Sequence, residues 1–334
     1  MAHGIHQDCL IRSIFSGLTV ECSSPNLPST GLTAFSSDDL LTITEHYRHI
    51  HLIGYENFPT VYKGWIDDGQ TPSETKMPVA VKRLKLEGFP GHDEWLTKLN
   101  YLGQLHHPNL MKLIGYNLED ELHWHLVTEF LPKNNLDFHL YGGRATRPLS
   151  WETRMKIAVG VAEGLSFLHD AESQVIYRYL DPTNIFLDDD FNAKLSIYVS
   201  TQAMDIYNDA RLGYTAPESV EKKYGPGSFT TASDVYSYGV VLLVLLSGRP
   251  AFEKKMIGKI EIVRSASGMK SRRQLIQFMD HKLKYQYPQK TAFKVATLAI
   301  QCTLLPCFSR PNMSEVLRKL NKALRPPECR LQEH

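Results

Sequence analysis

The stretch VIYRYLDPTN, residues 175–184, follows a helix-like pattern and runs into IFLD, which predicts a tight loop between a helix and a short hairpin. Arg178 and Asn184, six residues apart, are the right types for phosphate and metal chemistry: a guanidinium grips phosphate oxygens and an amide offers a hard oxygen donor. Tyr179 and Asp181 lie between them, and their roles decide what this loop does. Other candidate chemistry is thinner. His46, His49 and His51 recur without a nearby carboxylate or cysteine cluster, so no metal site is expected there. The five cysteines, Cys9, Cys22, Cys302, Cys307 and Cys329, have neither metal-ligand spacing nor a dense framework and read as free thiols of a reducing compartment.

The elements that must position this loop follow from composition and periodicity. A chain of 334 residues, 43% hydrophobic, can bury one large or two modest cores. Thirty-seven basic against thirty-six acidic residues leave a net charge of +1, so no global field favours nucleic acid or a membrane surface. The longest apolar run, residues 238–248, is too short to span a bilayer, which takes roughly 20 apolar residues, and reads as a buried core helix. The N-terminus has neither a signal-peptide core nor a Met-Gly start.

Residues 1–38, rich in Ser, Pro and Gly, read as a flexible arm. Residues 39–128 predict a small antiparallel sheet of two or three strands, with one helix over 91–105 whose Trp95, Leu99 and Leu102 form a stripe. A strand over 125–132 leads through Pro132 and a polar KNN run into a mainly helical second lobe, 129–325, with a short tail at 326–334. There, SWETRMKIAVGVAEGLSFLHD starts at a Ser-x-x-Thr turn. SDVYSYGVVLLVLLSG opens on a Ser-Asp cap and closes on glycine, and two further helices end the chain.

A small sheet with one helix, a hinge and a helical lobe is the layout of a protein kinase, an α+β bilobal fold. Short motifs in order support it: VAVK ending at Lys82, APE ending at Glu218 and DVYSYG from Asp234. With SSPNL, GHDEWLTKLNYLGQLHHPNLMKLIGY, VIYR, NAKLS and SGRPAF added, residues 24–320 resemble the plant receptor-like cytoplasmic kinases, nearest to their subfamily seven.

The resemblance implies roles that this chain departs from. The catalytic aspartate aligns with Tyr179, a phenol titrating near pH 10 that can donate a proton but not serve as a carboxylate base. The lysine that steadies the transferring phosphoryl aligns with Asp181, whose charge would repel it. The magnesium-binding triplet aligns with Ile197, Tyr198 and Val199, leaving Asn184 as a lone ligand. In the first lobe Gly54 is kept, but Glu56 and Pro59 replace the next two loop glycines. The glutamate that should pair with Lys82 aligns with Lys98, and Phe186 replaces the leucine beneath the adenine. The activation segment, Ile197 to Glu218, is only 22 residues long. It has Arg211 where a threonine is expected, and Ser200 and Thr201 are the only candidates near Arg178 for phosphorylation. Residues that hold the fold are kept: Asp234 for the catalytic-loop backbone, and Glu218 with Arg310 as an ion pair.

The sequence therefore predicts a catalytically inactive kinase-like scaffold or adaptor in plant receptor-linked immune signalling. The resemblance implies active kinases, receptors or immune receptors as protein partners, with no nucleic acid and no membrane insertion. No cofactor is expected: Mg2+ is not, and ATP binding is left open, with Gly54, Val61, Ala80, Lys82 and Asn184 as the remnants of a nucleotide site. The location expected is cytoplasmic, reaching the plasma membrane through partners; Cys9 and Cys22 in the arm are candidate palmitoyl acceptors, a role that is not the expected one. Structural roles stand beside these: Lys82 as a solvated strand lysine, Tyr179 as a packed aromatic or a partner-facing one, Cys302 and Cys307 as core thiols. Two alternatives remain: a weak Ser/Thr kinase using Asp181 or Asp188 as base, and a magnesium-independent nucleotide switch or a bait for a pathogen effector.

Overall fold

The structure, a computed structural model, describes residues 31–49, 52–53, 60–67, 76–85, 92–120, 123–143, 147–172, 174–196, 213–220, 229–255, 258–269, 271–283 and 286–325. The chain divides into two compact units, with the change from Pro132 to Lys133. The first contains β1 (Thr33–Ala34), α1 (Ser37–Ile43), β2 (Val61–Asp67), β3 (Lys76–Lys85), α2 (His92–Gly103), β4 (Leu113–Asn117) and β5 (His123–Glu129). The second contains α3 (Leu136–Tyr141), α4 (Trp151–Asp170), β6 (Ile185–Leu187), β7 (Ala193–Leu195), α5 (Pro217–Val220), α6 (Thr231–Ser247), β8 (Phe252–Lys255), β9 (Gly258–Glu261), α7 (Ile262–Ser267), α8 (Arg272–Phe278), α9 (Gln289–Cys302) and α10 (Met313–Leu324).

In the first unit the strand order is β1-β4-β5-β3-β2. Alternation along β3 splits its side chains between two apolar layers. Leu84, with Leu126 and Trp124 of β5, packs on Trp95 and Leu99 of α2. Val79, Val81 and Val127 pack on Leu40 and Ile43 of α1. The sheet is not wholly antiparallel, because β1 pairs parallel to β4, Thr33 with Gly115 and Ala34 with Tyr116. It thus takes in residues that the sequence reading assigned to the arm, and Phe35 donates its amide to the Tyr116 carbonyl at 2.8 Å. A two-residue strand has too little periodicity to stand out in a Ser/Thr-rich stretch.

The second unit is built round α6, which is buried from Ser233 to Ser247. A helix apolar on all sides must lie in a core, and α4 and α9 pack against it. Its cap differs from expectation: Thr230 is the N-cap, accepting from the Ser233 amide, so Ser233 is the fourth residue of a capping box and Asp234 lies inside the helix. The helix ends at Gly248 in the left-handed region, φ 62°, as the glycine signal predicts. Arg154 of α4, only 2% exposed, was not anticipated. It donates to the carbonyls of Leu149 at 3.1 Å and Leu245 at 2.7 Å and to the Asp280 carboxylate at 2.6 Å. Among the described residues no helix is long and apolar enough to cross a membrane.

Candidate functional site

The loop that opened the sequence reading lies between α4 and β6, and Asp234 shapes it. This carboxylate, 0% exposed, accepts the backbone N–H of Tyr177 on one oxygen and that of Arg178 on the other, each at 2.7 Å. His169 Nε2 adds a third donor at 3.0 Å. Three donors converging on one buried carboxylate satisfy its charge. They also hold Arg178 at φ 74°, a left-handed conformation that an arginine adopts only under constraint.

Tyr179, at the position of the base, turns its ring onto Phe229, with centroids 5.5 Å apart at 60°. The Arg178 guanidinium lies 5.9 Å from the same ring. Phe229 is therefore the centre of a small aromatic cluster that the sequence did not reveal, since nothing in its local pattern marks it.

Asp181 has a role that its charge alone did not suggest. It is the N-cap of the single turn Pro182–Asn184: its carboxylate accepts the Thr183 amide at 2.7 Å and also the Thr183 hydroxyl. Aspartate followed by proline is a legible cap signal, with proline pre-set for the first helical position. Asn184 donates its amide nitrogen to the Tyr179 carbonyl at 2.9 Å, and the Tyr177 hydroxyl donates to the Asn184 carbonyl at 3.4 Å. The loop is thus cross-tied within itself.

Carboxylates and the partly buried Arg178 share these surroundings. The Asp137 carboxyl is pushed above the usual carboxylate range by burial and by the charge of Asp181. The Tyr214 phenol is pushed well up by burial first, then by Tyr141, Asp181 and Asp137. Asp188 is committed elsewhere: it accepts the Asn192 amide and side-chain N–H groups, each at 2.8 Å, and the Asp190 amide at 3.0 Å, closing the β6–β7 turn. Burial opposes its ionisation, but these bonds outweigh it and its carboxyl is held low. Phe186, half-buried on β6, faces Lys194 across the hairpin.

Glu218 and Arg310 form the expected pair: two guanidinium nitrogens reach the two carboxylate oxygens at 2.5 and 2.9 Å. Arg310 also donates to the carbonyls of Ala232 and Leu304 and lies over the Tyr236 ring. The side chain of Arg310 is fully buried, whereas that of Glu218 keeps 17% exposure. Cys302 is a buried thiol, pushed up to about 12 chiefly by burial, and Cys307 is partly exposed.

In the first unit, the register places Val61 opposite Lys82 and Lys82 opposite Leu126, so these side chains share one face, with Ala80 two residues along from Lys82. This is the face on which α2 packs through Leu84 and Leu126. Lys98 is half-buried on α2, between the buried Trp95 and Leu99. Among the described residues no group of three or more His, Cys, Asp or Glu is arranged to hold a metal ion. Gly54, Glu56, Pro59, Ile197, Tyr198, Val199, Ser200, Thr201, Arg211, Cys9, Cys22, Cys329 and the tail at 326–334 lie outside the described residues.

A helical lobe whose loop is pinned by Asp234 and whose Glu218–Arg310 pair is closed, and a sheet carrying Lys82, define the protein-kinase class. The chain belongs to this family: the pattern described as "Protein tyrosine and serine/threonine kinase" matches residues 47–320. It is 47% identical over 315 residues to "Probable serine/threonine-protein kinase PBL3" of Arabidopsis thaliana, covering 89% of this chain and 71% of that protein. It is 46% identical over 324 residues to "Probable serine/threonine-protein kinase PBL2" of the same plant, covering 91% and 73%. It is 42% identical over 316 residues to "Receptor-like cytoplasmic kinase 176" of Oryza sativa subsp. japonica, covering 89% and 77%.

Proposed function

We propose that this chain is a kinase-fold scaffold or adaptor without useful phosphoryl transfer, a pseudokinase related to the receptor-like cytoplasmic kinases. The observation that carries this reading is the place of Asp181. Where a lysine should hold the migrating phosphoryl group, a buried carboxylate is committed to the Thr183 amide and hydroxyl, and phosphoryl transfer depends on positive groups around the developing charge. The position of the base holds a phenol packed edge-to-face against Phe229. Nor does the donor set suit magnesium. Asn184 brings at most one neutral oxygen, its nitrogen being used on Tyr179, and Ile197 brings none, whereas magnesium takes hard oxygen donors with octahedral demands. Intact framework residues beside such a loop favour a body kept for binding. On this reading its partners are active kinases, receptors or immune receptors, or a pathogen effector for which it is a bait, met in the cytoplasm and at the plasma-membrane periphery through those partners.

A second reading, a weak Ser/Thr kinase, draws on the names of the relatives. It needs a base, and the two carboxylates available to it are engaged, Asp181 in a cap and Asp188 in a turn. Both readings meet in one experiment on the full chain: thermal unfolding with ATP, with and without Mg2+, alongside radiolabel transfer measured against Lys82→Ala. A ligand at 100 times its Kd stabilises by about 2.7 kcal/mol. The expected result is no magnesium-dependent shift and transfer equal to that of the variant. A magnesium-dependent shift with transfer above the variant overturns the proposal.

A further inference from the structure

From Ile262 to Met279 the sequence carries four basic residues, Arg264, Lys270, Arg272 and Arg273, and no acidic one, in a chain whose net charge is +1. Arg264 on α7 and Arg272 and Arg273 on α8 are exposed, and exposed His281 and Lys282 follow. Of the acids that flank this run, Glu261 is the exposed N-cap of α7, and Asp280 is buried, bound to Arg154 and 3.7 Å from His281, so neither lies on α8 with Arg272 and Arg273. We infer that α8 presents a docking surface for an acidic peptide segment of a partner protein, with carboxylates on Arg272 and Arg273 and one branched apolar side chain on Ile276.

Three features separate this surface from an ordinary solvated face. The first is helix electrostatics. Arg272 and Arg273 open α8, where the positive end of the helix dipole favours acids, and the first turn holds no acid. Charges placed against the fold's own preference point to a use outside it. The cap agrees: Ser271 and the third helical residue form a capping box in which the reciprocal acceptor is Gln274, at 3.0 Å, so the turn is closed without adding negative charge. The second is Ile276. Leu275 and Phe278 turn inward and are buried, whereas Ile276, three and four residues after the arginines and so on their face, is 48% exposed. The third is rigidity. Arg249 stacks its guanidinium 5.0 Å from the Phe278 ring, and the Asp280 amide is tied to the Leu246 carbonyl of α6 at 2.9 Å, so α8 sits on a fixed base.

Arginine rather than lysine predominates, and its planar fork matches carboxylates. A lipid surface would call for several large apolar side chains beside the cations, and Ile276 is the single exposed large apolar residue of α7 and α8. The inference concerns this surface alone and stands whether or not the chain transfers phosphate.

The test uses the full chain and a short fluorescein-labelled peptide in which glutamate pairs flank one leucine, followed by anisotropy at low and physiological salt. Vesicles of phosphatidylserine and phosphatidylcholine serve as the second probe. The peptide should bind, more weakly as salt screens the charges. Arg272→Glu/Arg273→Glu should lose about tenfold or more in affinity, and Ile276→Gln should weaken binding without altering its salt dependence. The double variant should melt no lower than the wild type, since acids suit the start of α8, so lost binding there is not lost folding. No peptide binding, binding equal in the double variant, or capture of vesicles in place of the peptide would each overturn the inference.

Discussion

Replacing Asp234 by Asn changes one atom's identity at the centre of the loop. In the wild type one carboxylate oxygen takes Tyr177 N–H and His169 Nε2, the other takes Arg178 N–H, and none of the three bonds is longer than 3.0 Å. An amide has one oxygen. Whichever way it turns, at least one backbone N–H then faces an NH2 group, and a buried hydrogen bond to a charged acceptor is lost at a cost of about 1.5–3 kcal/mol. If the stranded donor is Arg178 N–H, the anchor of a residue at φ 74° goes with it, and such strain holds of the order of 1–3 kcal/mol. Removing a buried charge returns part of this. A net loss of about 3 kcal/mol is expected, or a fall in Tm of roughly 6–12 °C for a unit of some 200 residues. Calorimetry of the full chain measures it, with limited proteolysis reporting whether cleavage appears near Arg178. A change within about 0.5 kcal/mol, the range of neutral surface substitutions, would refute the argument that Asp234 holds the loop.

Gly248→Ala should cost about 3 kcal/mol or more in urea unfolding. The left-handed φ of 62° penalises a side chain by about 1–2 kcal/mol, and the new Cβ would stand 2.6 Å from Asp280 Cγ, driving it off buried Arg154. A loss under about 1 kcal/mol, no more than that backbone penalty alone, would mean that Asp280 gives way without leaving its partner. Arg310→Met should destabilise by about 3–5 kcal/mol, and adding Glu218→Gln should recover part of it. Strict additivity would deny the coupling implied by their two-point contact. Asp181→Asn should lower the Asp137 titration midpoint, read by NMR, towards the ordinary value without reaching it, because burial remains. Since the folded midpoint of Asp137 lies above its unfolded one, its stabilising contribution is full below the unfolded value and is lost as pH rises through the folded value. The variant should therefore lose less stability across that window, and an unmoved Asp137 midpoint would remove Asp181 as a cause.

The lobes were legible because their signals are long. The apolar run ending at Gly248 could only be a core helix, and the stripe of Trp95 and Leu99 could only face a sheet. The parallel strand at Thr33–Ala34 was not legible, because two residues carry no period. Arg154 was hidden for another reason: its burial depends on carbonyls at Leu149 and Leu245 and on Asp280, which lies 126 residues away in the chain. At the site, the types of Tyr179 and Asp181 marked departures from the family pattern, but not where the side chains went. Phe229 lies 50 residues beyond Tyr179, so only the fold brings the cluster together.

Asp181 bears on both the charge and the stability of the loop. At its position the family pattern implies a lysine that points its charge at phosphate, a role with no bearing on the backbone. Here the side chain is an N-cap, and a cap of this kind is worth about 1 kcal/mol. Restoring lysine would return the clamp's charge but leave the Thr183 amide without its acceptor, in a loop that also depends on Asn184 reaching back to Tyr179. Tyr179 is tied in the same way, since restoring aspartate would take away one side of the cluster on Phe229. Tyr179 and Asp181, which depart from the family pattern, thus both take part in holding the loop, so putting the family's residue at either position starts with a cost in stability. Asp234, Glu218 and Arg310 need no such reversal, because their bonds serve the backbone and the helices in either case. The anchor of the loop and the Glu218–Arg310 pair therefore do not depend on which residues stand at 179 and 181.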